Sequence, residues 1–156
     1  MTYDSRPETK KHAKRVRILM LRAITELEYR SQVHDASKME PPELAIFDEF
    51  TPKLKTSTYG SDEYKGFLEA MGEGLAHHYA HNRHHPEHFE DGINDMTLVD
   101  LLEMLADWKA ATERHDDGSL VKSLEIQRER FGISEQLLSV LTNTAERFGW
   151  LDKEPT

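Results

Sequence analysis

Apolar residues recur at intervals of three and four positions through most of the chain, and no segment alternates apolar and polar residues over the length of a strand. This spacing is typical of amphipathic helices, whereas a half-buried strand needs alternation at every second residue. The pattern therefore predicts an all-α fold of about six helices. Prolines, glycines and polar turns mark the ends of these helices. The predicted helices run from about Pro7 to Tyr29, onward from Pro41 or Pro42, from Ser61 to the histidine-rich segment, from Thr97 to near Gly118, from Leu120 to Phe131, and from Ser134 to Phe148.

The composition of the chain limits its expected binding partners and its expected cellular location. The formal charge is −9, from 29 acidic against 20 basic residues, which argues against a grip on duplex nucleic acid. No apolar run approaches the roughly 18 residues of a membrane span, and the N-terminus has no signal-peptide core. We therefore expect a cytoplasmic protein without a membrane partner. At 156 residues it is long enough to form one domain, residues 1–156, that buries about two-thirds of its unfolded surface.

Histidine is concentrated in "HHYAHNRHHPEH", residues 77–88, which holds six of the nine histidines of the chain. Its internal position excludes an expression tag, so the alternatives are a solvated polar surface and a metal site. Without any cysteine, a metal would be held by nitrogen and oxygen alone. His78 continues the apolar stripe of the helix from Ser61, and Pro86 disfavours helix at His85, so "HHPEH" is predicted to be a loop. His77 and His81 diverge from that stripe and stay open as ligands, neighbours of ligands or exposed residues.

The dipeptide His34-Asp35 can offer an imidazole to one cation while its carboxylate bridges to a second. The ordinary alternative for a lone pair of this kind is a solvated surface. The same dipeptide recurs at His115-Asp116, where "ERHDDGS" is typical of a helix C-terminus that favours histidine through its dipole. We therefore interpret the second pair as solvated, and the first one needs a wider context.

That context is a resemblance in the order of candidate ligands, which is similar to the H…HD…D arrangement of the HD-domain metal-dependent phosphohydrolases: His12, then His34-Asp35, then the mid-chain histidines, then Asp107. "HDASK" is similar to the HDxxK form of the motif. The spacing HxxxNxHH at residues 78–85, followed by "EMLADW" at residues 103–108, resembles an uncharacterised family of short HD-like proteins of bacteria and phages. The resemblance covers about residues 10–110, which leaves C-terminal helices at 120–148.

The resemblance implies a single-domain HD-like helical bundle with a metal centre. A first ion would be held by His12, His34, Asp35 and Asp107, and a second by some of His78, His84 and His85. The bunched histidines leave open whether the centre has one metal or two. Periodicity alone predicts that Asp107 faces solvent, because it lies about 120° from the apolar side of its helix.

The substrate side of the site is also implied. Asp35 and Lys38 are the expected catalytic residues. Lys38 follows His34 by about one turn, so its ammonium would point toward a molecule bound to the metal. Asn82 and Arg83 are further candidates for substrate binding, together with Lys38.

The function implied is hydrolysis of a nucleotide or other small phosphate ester by a metal-activated water. Histidine-rich ligand sets favour transition metals over magnesium and calcium, so we expect one or two divalent ions, iron or manganese first, with zinc, cobalt and nickel as alternatives. Two other functions stay open: a di-iron oxygenase on the same scaffold, and a non-catalytic metal-binding or interaction protein. The oligomeric state is also left open.

Overall fold

The computed structural model describes residues 3–58, 61–114 and 118–151, and within these ranges every regular element is helical. The predicted all-α fold with about six helices is confirmed. None of the described helices is long and apolar enough to cross a membrane. The six α-helices are α1 (Arg6–Val33), α2 (Glu43–Thr56), α3 (Asp62–His81), α4 (Leu98–Thr112), α5 (Leu120–Phe131) and α6 (Glu135–Arg147), and short 3₁₀ turns lie at Ala36–Met39, Pro86–His88 and Gly92–Asp95.

The chain divides into two units, residues 1–34 and residues 35–156, and each is described by itself. The first unit contains α1, which ends one turn later than the predicted Tyr29 and has no buried residue. Val16 and Leu19, on the apolar side of this helix, are 38% and 47% exposed, because the described residues of this unit include no second helix against which to pack. The organisation of residues 1–156 as one domain stays a prediction.

In the second unit, α2 and α3 form a closely packed helix pair. The ring centroids of Phe50 and Phe67 lie 6.5 Å apart, and Gly74 is buried against Ile46. Ser61 caps α3 by accepting a hydrogen bond from the backbone N–H of Tyr64 at 3.1 Å. The helix is interrupted at Gly72, whose φ of 34° and ψ of −104° are not helical. Sequence periodicity did not indicate this interruption, since the apolar spacing continues through it.

Helices α4, α5 and α6 enclose the main apolar core. Trp108 stacks on Phe131 with ring planes 3° apart. The apolar spacing of α4 places Leu98 on the same side as the core residues, but Leu98 is 80% exposed, because it is the first residue of α4 and precedes the part of that helix that the core covers. The buried members of the core are Leu101, Met104, Leu105, Trp108, Leu120, Leu124, Ile133, Leu141 and Ala145.

Candidate metal centre

Four side chains of the second unit bring potential metal ligands together. Asp35, His78, His84 and His85 each offer one ligand atom, and these atoms all lie within 4.8 Å of one another. Asp35 precedes the 3₁₀ turn at Ala36–Met39, His78 lies in the last turn of α3, and the other two follow that helix. This four-residue cluster could hold a metal ion.

The distances within the cluster suit shared ligation. His78 Nε2 lies 2.9 Å from His85 Nε2, and Asp35 Oδ1 lies 3.3 Å from His78 Nε2 and 3.5 Å from His84 Nε2. Two nitrogens that each bind one ion at about 2.0–2.1 Å, at a right angle, are about 2.9 Å apart. The separation of the two imidazoles therefore matches that of two ligands of a single ion.

The chain reverses immediately after α3, and this reversal forms the cluster. Asn82 is extended and ends the helix, while its Nδ2 donates to the carbonyl oxygen of His78 at 2.8 Å. Pro86 keeps His85 out of helical conformation, with φ −98° and ψ 127°. The rings of His84 and His85 consequently lie 6.0 and 4.8 Å from that of His78. The predicted loop is confirmed as a break in the α-helix, and its end forms a 3₁₀ turn.

Asp35 has an unusual backbone for a residue with a side chain. Its φ is 57° and its ψ is 15°, in the left-handed region that only glycine, asparagine and aspartate visit readily. Oδ1 faces the cluster, and Oδ2 accepts a hydrogen bond from Lys38 Nζ at 2.6 Å. The ammonium also lies 4.9 Å above the ring of Phe47. Strained conformations of this kind are concentrated at functional sites.

Two imidazoles of the cluster, those of His78 and His85, favour their neutral forms. His78 and His84 are buried, at 1% and 2% exposure. Burial, followed by the nearby His84 and His78, lowers the pKa of His85 to about 3. Burial also lowers the pKa of His78, and the charge of Lys38 adds to the effect. At neutral pH, His78 and His85 can therefore offer a nitrogen lone pair to a cation.

Glu43, the first residue of α2, lies fully buried beside the cluster. Its Oε1 is 2.7 Å from His77 Nδ1, and its Oε2 is 2.9 Å from His78 Nδ1 and 3.0 Å from Ser37 Oγ. Burial raises the pKa of the Glu43 carboxyl, but hydrogen bonds from these three side chains outweigh that effect and lower it overall. Sequence reasoning missed this residue, because a glutamate in the first helical turn is common and has no distinctive spacing.

Helix α4 contributes two further carboxylates. Glu103 Oε1 lies 3.3 Å from His84 Nδ1. Asp107 is half-buried. Its negative charge raises the pKa of His85, but by less than burial and the two neighbouring histidines lower it. The solvent-facing position that periodicity indicated for Asp107 is wrong, because this flank of α4 borders the polar cluster. The four-residue spacing within "EMLADW", which places both carboxylates on one side of a helix, is the signal that would have identified Glu103.

The two other predicted substrate-binding residues have intramolecular partners. Asn82 lies behind His78, where its Nδ2 also donates to Ser37 Oγ at 2.7 Å. Arg83 donates to both carboxylate oxygens of the buried Asp100, at 3.1 and 3.0 Å. This bidentate ion pair occupies the guanidinium and does not favour the predicted substrate contact.

The remaining predicted histidines lie outside the four-residue cluster. His12 is exposed on α1, and His34 follows the last residue of that helix. Both belong to the first unit, and their ligation stays a prediction.

His77 is hydrogen-bonded to Glu43, and the exposed His81 donates from Nδ1 to the carbonyl oxygen of His77 at 2.8 Å. The pair His115-Asp116 lies outside the described residues.

Comparison with known proteins identifies a family without assigning an activity. No curated protein and no solved structure matches the chain. One family model matches residues 1–147, which is nearly the whole sequence. The chain therefore belongs to a family of unknown function, DUF5662.

Proposed function

We propose that this chain is a metal-dependent phosphohydrolase that acts on a nucleotide or another small phosphate ester. The observation that carries the proposal is the convergence of one carboxylate and three imidazoles within 4.8 Å. Mixed histidine and carboxylate sites of this kind are typical of metal-assisted hydrolysis. The similarity of the H…HD…D order to the HD-domain enzymes supports the same class of reaction.

The ion would be held by Asp35, His78, His84 and His85, with Asp107 as a further ligand if a second ion binds. Three nitrogen donors and one oxygen donor suit manganese, iron, cobalt, nickel and zinc better than magnesium or calcium. We favour iron or manganese. When bound, such an ion supplies a water of lowered pKa and stabilises charge on phosphoryl oxygens.

Lys38 would provide the positive charge that meets the substrate. Its ammonium is hydrogen-bonded to Asp35, so it is held at the edge of the cluster. The side chains of Lys38 and Asp35 are 29% and 20% exposed, whereas that of His78 is 2% exposed. Solvent therefore reaches the cluster on the side of Lys38, and a small substrate could approach there. The overall charge of −9 disfavours a long polyanion in the same place.

The proposal is tested by removing bound metal with a chelator, reloading the protein with Mn²⁺ or, under anaerobic conditions, Fe²⁺, and measuring phosphate release from a panel of nucleotides and small phosphate esters. We expect release by the reloaded protein and none by the stripped protein. Metal-loaded protein that hydrolyses no member of the panel would favour a non-catalytic metal site. A coloured di-iron centre that consumes oxygen would favour the oxygenase alternative.

A further inference from the structure

The buried carboxylate of Glu43 is hydrogen-bonded by three side chains. The residue is 0% exposed, and burying a carboxylate is costly unless it is hydrogen-bonded. Three side chains meet it: His77 Nδ1 at one oxygen, and His78 Nδ1 with Ser37 Oγ at the other. The three donors come from α3 and from the turn that follows Asp35, which are the segments that also form the cluster.

These contacts constrain the protonation of His78. Asn82 Nδ2 also lies 3.0 Å from His78 Nδ1, but its two hydrogens are donated to the carbonyl oxygen of His78 and to Ser37 Oγ. Because the carboxylate of Glu43 only accepts hydrogen bonds, the proton of the neutral imidazole lies on Nδ1 and the lone pair lies on Nε2. That Nε2 atom is the one that faces the cluster, 2.9 Å from His85 Nε2 and 3.3 Å from Asp35 Oδ1. The ring of Phe47, edge-on to His78 at 5.5 Å, restricts the plane of the imidazole. The tautomer and the orientation of His78 are therefore both those of a metal ligand.

We propose that Glu43 is a positioning residue of the metal centre, which holds His78 in its Nδ1-protonated tautomer and presents Nε2 to the ion. This inference rests on the proposed metal centre. A carboxylate bonded to the far nitrogen of a ligating imidazole orients the ring and increases its basicity, and loss of such a partner typically lowers metal affinity about 10–100-fold.

The test combines one measurement on the wild-type protein with a set of matched variants. Nitrogen-15 NMR of the metal-free protein, with the His78 signals assigned, reports which ring nitrogen carries the proton. Co²⁺ titration, followed by visible absorption, reports affinity for Glu43→Leu, which has no acceptor, and for Glu43→Gln, whose amide oxygen can still accept from His78. Glu49→Leu is the control, since Glu49 lies on the same helix, is exposed and pairs with Lys53.

We expect His78 to carry its proton on Nδ1, Glu43→Leu to bind Co²⁺ about 10–100-fold more weakly, and Glu43→Gln to bind closer to wild type, while Glu49→Leu matches wild type. The inference is overturned if wild-type His78 is protonated on Nε2, if Glu43→Leu binds Co²⁺ as tightly as wild type, or if Glu43→Gln is as weak as Glu43→Leu. The tautomer measurement needs no variant, so it decides the question even if Glu43→Leu does not fold.

Failure of the proposed metal centre would look different from failure of this inference. If wild-type protein binds none of Co²⁺, Mn²⁺ and Zn²⁺, the proposed metal centre is wrong, and only the tautomer of His78 still tests the role of Glu43. A proton on Nδ1 in wild type that moves to Nε2 in Glu43→Leu would then show that Glu43 fixes the tautomer. The same tautomer in both proteins would overturn this role.

Discussion

At the scale of single residues, Asp35 divides its two carboxylate oxygens between two tasks. Oδ1 faces the imidazoles of the cluster, and Oδ2 accepts the hydrogen bond from Lys38. The left-handed backbone of Asp35, with φ 57°, directly precedes the 3₁₀ turn at Ala36–Met39. Aspartate combines tolerance of this conformation with a negative charge, so few other residues could replace it.

Replacing Lys38 by alanine should separate catalysis from metal binding. The ammonium carries charge and cannot ligate while protonated, so Lys38→Ala should keep the metal content of wild type. Phosphate release should fall about 10–100-fold, the equivalent of one hydrogen bond to a charged group. Lys53→Ala is the matched control, because Lys53 also pairs with a carboxylate and lies over a phenylalanine ring. Equal activity of Lys38→Ala and wild type would contradict the role of Lys38.

The metal-free protein should lose stability as the pH falls below about 6.5, the ordinary pKa of histidine. The pKa of His85 is about 3 in the folded protein, so between these values the unfolded chain binds a proton that the folded chain excludes. The free energy of unfolding then decreases with falling pH, by up to about 1.4 kcal/mol per pH unit for one such proton. The lowered pKa of His78 acts in the same direction.

Urea unfolding between pH 7 and pH 5, with a chelator present, measures this slope while most carboxylates remain ionised. His85→Asn should give a shallower dependence than wild type because it removes one of the two groups. Identical slopes for the two proteins would show that His85 is protonated as easily in the folded state as in the unfolded one.

Single residues also mark the limit of sequence reasoning about the site. His78 could be placed inside because it continues an apolar stripe of α3, and it is buried. Asp107 was misplaced by the same argument, since periodicity detects an apolar side of a helix but not a polar side that borders a cluster. Glu43 has no pattern of its own, because its role arises from contact with α3, 34 and 35 residues further along the chain.

At the scale of elements, the close packing of α2 on α3 determines where Glu43 meets the histidines. A Cβ atom at Gly74 would lie 2.7 to 3.1 Å from three atoms of the Ile46 side chain. Ile46 lies one turn after Glu43 on α2, so the glycine permits the approach that brings the carboxylate to His77 and His78. Gly66, on the same helix, has no neighbouring atom within 4 Å of that position.

Gly74→Ala should therefore destabilise the protein, by about 1–3 kcal/mol as expected for overpacking, and should also weaken metal binding through displacement of Glu43. Gly66→Ala should be neutral or should stabilise by up to about 1 kcal/mol, because alanine favours helix. Urea unfolding and Co²⁺ titration of both variants measure these effects. A Gly74→Ala protein as stable as wild type would mean that the two helices can separate without cost.

Elements were more predictable than the segments between them. All six helices follow from apolar spacing and from proline, glycine or cap residues, although some of their ends differ from the prediction by a turn or more, as that of α1 does at its C-terminus. The break at Gly72 and the return of the chain at Asn82 were not predictable, since both depend on backbone conformations that have no periodic signature. The return at Asn82 brings His84 and His85 to His78, so the site was less predictable than the fold.

At the scale of the whole molecule, the cluster joins parts of the second unit that are far apart in sequence. Asp35 is separated from His78 and His85 by α2 and most of α3. An ion that binds the folded protein, and not the unfolded chain, stabilises the folded state by mass action, by about 2.7 kcal/mol at a free concentration of one hundred times Kd. Thermal unfolding should therefore shift upward as Mn²⁺ or Co²⁺ is added to stripped protein, and Mg²⁺ should have less effect.

The most direct test of the metal centre is the metal content of purified and reloaded protein, measured by elemental mass spectrometry for wild type, Asp35→Asn and Asp116→Asn. We predict about one or two transition-metal ions per chain for wild type, a number that follows from the ligand set. Asp35→Asn should lose this metal and keep its helical circular dichroism, since asparagine tolerates the left-handed backbone. Asp116→Asn, in the second His-Asp pair, should retain it. Wild-type protein that cannot be loaded, or Asp35→Asn protein with wild-type metal content, would contradict the proposed metal centre.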